Sequence, residues 1–147
     1  MNQNRPSANF IVIISLSLFV STPATSQSSL AEYEACFRGS FGGTARILVC
    51  SSVVADASQA PEIRGEALRL RGLAYSLDGE HDLAIRDLTE AIRLSPESYK
   101  PVVARGFAYF RANSADLGAS DLRRALPMVP PGPDREQLIR FLETLNN

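Results

Sequence analysis

The sequence predicts an all-α protein built from about seven helices arranged as stacked antiparallel hairpins. Three observations carry that prediction. First, the stretch from Arg64 to Pro96 repeats its skeleton 34 residues later: Gly72, Tyr75, Ala84, Leu88, Ala91 and Pro96 recur as Gly106, Tyr109, Gly118, Leu122, Ala125 and Pro130. Arg71 and Asp87 recur in the same way as Arg105 and Asp121. A fixed period in the range of 20–50 residues marks an array of supersecondary units. Second, Leu68, Leu70, Leu73, Ala74, Tyr75 and Leu77 are too dense for one narrow stripe, so this helix needs apolar neighbours on more than one side. Third, Asp78-Gly79 breaks the pattern before Leu83, Ala84, Ile85, Leu88, Ala91, Ile92 and Leu94 resume helical spacing. So short a connection makes the two helices antiparallel neighbours.

These residues resemble the tetratricopeptide repeat, a family with a 34-residue helix–turn–helix unit, small residues where its helices touch and a proline at the unit boundary. Gly72, Tyr75, Ala84, Leu88, Ala91 and Pro96 match the first copy. The second copy departs at Gly118, where the family usually has alanine, and Leu68 and Val102 stand where tryptophan is frequent. The resemblance implies a right-handed superhelix of helix hairpins and a binding role toward protein or peptide, without chemistry of its own.

The elements follow in order. Residues 1–26 have the layout of a secretory signal peptide: Arg5, an apolar run from Phe10 to Val20, then the small and polar residues STPATSQ. A membrane-spanning helix needs about 20 apolar residues, and this run is half that. Cleavage is expected after Ala24 or Ser26, which implies a secreted or periplasmic protein with no stable membrane insertion. Residues 27–30 form a frayed lead. Residues 31–57 form a helical hairpin without the repeat signature, with a helix over Ala31–Arg38, a turn at 41–43, and Thr44 as N-cap of the second helix. The first full unit covers 61–96, with Pro61 in the first helical turn. The second covers 97–130, where Pro101 is expected to delay or bend the helix start. In that unit Asn113 takes the turn and Ser114 caps the next helix. Over 133–147, Asp134 and Gln137 suggest a capping box, and Leu138, Ile139, Leu142 and Leu145 an apolar face that closes the array.

The only two cysteines, Cys36 and Cys50, are each seven residues from Gly43. In an antiparallel pair they lie at one level, about 10 Å from the turn. A disulfide, which needs Cα atoms roughly 5.5–6 Å apart, fits a close helix crossing and an oxidising compartment. The alternative is two buried free thiols. A catalytic redox pair lacks the C-x-x-C spacing.

Arg71 with Asp87, and Arg105 with Asp121, are each symmetric about their own turn. They are expected to face one another across the hairpin as structural ion pairs, the alternative being arginines free to hold a ligand carboxylate. The resemblance places the first helix of each unit on the concave surface. It therefore implies a binding face of Glu66, Arg69, Leu73, Ser76 and Leu77, continued by Lys100, Val103, Phe107, Phe110 and Arg111. Phe107 and Phe110 between the two basic residues suit an extended peptide with apolar and acidic residues, unless both rings pack on the last helix. His81, the one histidine, sits between Glu80 and Asp82 and is expected to be a solvated surface residue. No metal-spaced cluster, phosphate loop or catalytic triad is visible, so neither cofactor nor enzymatic activity is expected. A net charge of −1 supplies no basic field for nucleic acid. The function expected is an exported adaptor or assembly factor binding protein through its groove. The competing readings are a thiol-redox protein and a purely structural subunit.

Overall fold

The computed structural model describes residues 25–38 and 43–145; the expected signal segment lies almost wholly outside them. Seven α-helices and no strand occur among the described residues: α1 (Thr25–Arg38), α2 (Gly43–Ala55), α3 (Pro61–Leu77), α4 (His81–Leu94), α5 (Tyr99–Arg111), α6 (Ala115–Ala125) and α7 (Pro133–Thr144). A short 3-10 turn, Leu126–Met128, separates the last two. Each of the first six helices packs on the next, and α3 also touches α1 and α5. The pairs α3–α4 and α5–α6 are antiparallel: Gly65 faces Leu94 and Ser95 while Gly72 faces Ala84 and Leu88, and Gly106 faces Gly118 and Leu122.

The two full hairpins turn in the same way, at the backbone. Gly79 has φ +86°, and its counterpart Asn113 has φ +57°. In each case the amide two residues past the helix C-cap returns to the last turn: Glu80 N donates to Tyr75 O and Ser114 N to Tyr109 O, both at 2.9 Å. This is the Schellman arrangement, which needs a left-handed residue at its corner. Glycine takes that conformation without penalty, and asparagine is among the few other residues that do.

Several expected boundaries move. Residues 27–30 belong to α1. Thr44 lies inside the first turn of α2, which starts at Gly43. There the Asp78 carboxylate lies against Gly43, in the position that a side chain at 43 would occupy; a negative charge at a helix N-terminus is favourable. Pro101 does not delay α5, which begins at Tyr99. It falls among the first helical residues, whose N–H groups have no partner within the helix anyway. Ser114 occupies the N-cap position of α6 without a side-chain capping bond. Helix α7 starts at Pro133 after Gly132, so Asp134 and Gln137 form no capping box.

The core runs along the chain as three clusters between successive helices. Cys36, Cys50, Val53, Ala67 and Leu70 form the first, and Ala84, Leu88, Ala104 and Ala108 the second. Leu122, Val129, Leu138 and Leu142 form the third, so α7 covers the C-terminal end of the core. Leu68 and Val102 are both buried. The α5–α6 crossing is close. A Cβ on Gly118 would lie 2.7 Å from the Phe110 ring and 2.8 Å from the Gly106 carbonyl oxygen. The residue that departs from the repeat pattern thus makes room for an aromatic ring. The helix-propensity cost of glycine, roughly 1 kcal/mol, is offset by that packing.

Candidate functional site

The repeated polar residues form two equivalent networks. Arg71 donates from Nε and Nη2 to Asp87 Oδ2 and Oδ1 at 2.7 and 2.9 Å, and Arg105 does the same to Asp121 at 2.7 and 2.9 Å. The remaining nitrogen of each fork, Nη1, reaches a hydroxyl on the preceding helix: Ser51 Oγ at 3.0 Å and Thr89 Oγ1 at 2.9 Å. Those hydroxyls in turn donate to Ile47 O and Ile85 O, both at 2.7 Å. Each guanidinium also lies over the ring one turn on, Arg71 over Tyr75 at 5.9 Å and Arg105 over Tyr109 at 5.8 Å.

Hydrogen bonding to Asp87 raises the pKa of Arg71 above its ordinary value, against the opposing effect of burial, and Asp121 does the same for Arg105. Both aspartates are buried. Every arm of each fork is engaged within the chain, so these arginines tie three successive helices together. The geometry leaves neither guanidinium facing outward for a ligand carboxylate.

Cys36 and Cys50 are joined, with Cα atoms 4.9 Å apart. Both are fully buried, in the cluster that α1 and α2 share with α3.

The structure divides the expected binding face. Arg69 is held on Glu66 of its own helix, with Nε 2.7 Å from Oε2. Ser76 is buried, and Leu73 is half-buried against the second core cluster. Phe110 turns inward to the third cluster and meets Phe141 of α7 edge to face, with ring centroids 5.3 Å apart. Phe107 also contacts Phe141, at 5.4 Å, but keeps 40% of its surface exposed. Both rings therefore pack on the last helix, and Phe107 remains the more exposed of the two. Leu77 at 68%, Lys100 and Arg111 are exposed along the same row of first helices.

Two clefts flank α5. One, of about 450 Å³, opens between the starts of α3 and α5, and Glu62, Glu66, Glu97 and Lys100 are among its lining. The other, of about 390 Å³, lies between α5 and α7. Tyr99, Phe107 and Phe141 give it aromatic walls, and Val103, Val129 and Leu138 close it. Asp134 and Gln137 supply its polar groups.

Sequence reasoning missed the α7 side of that cleft because it assigned Ile139 and Leu145 to the buried face. Both are exposed, whereas Phe141, three residues after Leu138, packs inward. Spacing at 138, 141 and 142 carried the signal for Phe141. His81 is half-buried rather than solvated, and its Nδ1 has no partner among the described residues. No group of three metal-ligating side chains occurs among the described residues, and no helix there is long and apolar enough to cross a membrane. No protein-family model matches the chain, and no curated protein matches it significantly.

Proposed function

We propose that this chain is an exported, non-catalytic binding protein of the tetratricopeptide type, which holds a protein partner against the face formed by its first helices, α3 and α5. The observation that carries the reading is the pairing of a repeated internal frame with an uncommitted surface. The Arg71 and Arg105 networks, 34 residues apart, lock each hairpin to its predecessor. Between them, Leu77, Phe107 and Arg111 lie on one row of first helices and are left exposed. The resemblance to the tetratricopeptide repeat implies a superhelix whose inner surface is lined by the first helices, and the curvature of stacked repeats creates extended concave binding surfaces. The disulfide supports residence in an oxidising compartment. Full burial of both sulfurs favours a structural bond over a redox-active one, since thiol–disulfide exchange requires access.

The test is capture of a partner from an extracytoplasmic extract. Leu77→Glu is expected to abolish capture. Leu48→Glu, at a leucine of equal 68% exposure on α2, is expected to leave it intact. Each change should cost about 0.5 kcal/mol or less, since neither side chain is packed. Equal capture by both variants would remove the first-helix face as the binding surface. Intact mass of the native protein checks export: a chain starting at Thr25 or Gln27 is expected, and one starting at Met1 would refute it.

A further inference from the structure

The cleft between α5 and α7 combines three aromatic rings with a single carboxylate. We propose that it receives the side chain of a lysine or arginine presented by a partner protein. This rests on the binding role proposed above and adds the chemistry of the residue bound.

The walls select first. Tyr99, Phe107 and Phe141 contribute aromatic rings, whose faces attract a cation, and Val103, Val129 and Leu138 contribute apolar surface. Asp134 is the one charged side chain in the lining; it is exposed and forms no hydrogen bond or ion pair with another described residue. Its neighbour Arg135 does not neutralise it, because Arg135 Nη1 is directed to the Val129 carbonyl oxygen at 3.0 Å. Gln137, less than one turn further along α7, offers an amide oxygen.

A basic side chain fits both halves of this lining. Its methylene stem lies along the apolar walls and its charged head reaches the carboxylate. An acidic guest would meet Asp134 as a like charge, and an apolar guest would cover that carboxylate without a partner. The volume, near the lower end for ligand pockets, suits one side chain rather than a cofactor. On the other flank of α5, Glu62 and Glu97 line the cleft beside Lys100, while Glu66 is held by Arg69, so carboxylates outnumber the cation there. An acidic complement, which Lys100 and Arg111 suggest in the sequence alone, is therefore left with Arg111.

The experiment is a methyl-detected NMR titration of the folded protein with capped tetrapeptides, Gly-Leu-X-Gly. Here X is lysine, arginine, norleucine or glutamate. The lysine and arginine peptides are expected to shift the methyl signals of Val103, Val129 and Leu138. They should bind about tenfold more tightly than the norleucine and glutamate peptides. Asp134→Asn, at an exposed position, should keep the spectrum of the folded protein and erase that preference.

Equal or tighter binding of the norleucine or glutamate peptide would overturn the proposal. So would a lysine preference that survives Asp134→Asn, or the absence of methyl shifts at millimolar peptide. Absence of a charge preference in the unsubstituted protein, while Leu77→Glu still abolishes partner capture, would sink this inference alone and leave the binding face standing.

Discussion

Replacing Asp87 by alanine should lower unfolding stability by about 3–5 kcal/mol, because it leaves the Arg71 guanidinium part-buried with its main partner gone. Arg71 and Asp87 make a two-pronged contact at 2.7 and 2.9 Å, and their side chains are 18% and 9% exposed. Arg71→Met should cost a similar amount, since it leaves the more deeply buried Asp87 carboxylate without its partner and also releases Ser51 Oγ. The double change Arg71→Met with Asp87→Leu should recover much of the loss, because a buried ion pair and an apolar pair of similar volume are often close in free energy. Urea unfolding of the parent protein, Arg71→Met, Asp87→Leu and the double variant closes the cycle. The same cycle at Arg105 and Asp121 should give the same pattern, as the geometry there repeats to within 0.1 Å. Additive single effects would show that the pair does not couple the helices.

Loss of the disulfide should have the next largest effect. Cys36 and Cys50 are 14 residues apart in sequence, and closing a loop of that size contributes about 3 kcal/mol in the chain-entropy model. Cys36→Ala with Cys50→Ala should therefore lower the melting temperature by roughly 10 °C. Most helicity should remain, since the Arg71–Asp87 and Arg105–Asp121 pairs within α3–α6 do not involve this bond. Protection from amide exchange should fall first in α1, whose packing is confined to α2 and α3. A melting temperature unchanged by the double substitution would contradict this, as would two freely alkylated thiols in the native protein.

The parts of the fold legible in the sequence are those fixed by the 34-residue period. Arg71 and Asp87 are equidistant from Gly79, and an antiparallel hairpin brings such residues to one level; the cysteine pair about Gly43 obeys the same rule. Helix starts were less legible because side chains do not cap them. Ser114 and Asp134 have the composition of caps, yet the α3–α4 and α5–α6 turns are closed by backbone bonds around Gly79 and Asn113. The fate of Phe107 and Phe110 was legible only as two alternatives, a binding face or packing on the last helix, because it depends on α7, which lies beyond the proline-rich segment and outside the repeat. Gly118 looked like a defect in the second unit, but its missing side chain is the space that Phe110 fills.

The central claim is that a partner lies on the first-helix face, and photo-crosslinking in intact cells tests it most directly. A photoreactive residue would replace Leu77 or Arg111 on the first helices, or Leu48 or Leu117 on the second. All four positions are exposed, so each variant should fold. The account predicts a common adduct from positions 77 and 111, formed outside the cytoplasm, and none of that mass from 48 or 117. Adducts from 48 and 117 with none from 77 and 111 would place the partner on the opposite surface and contradict the account.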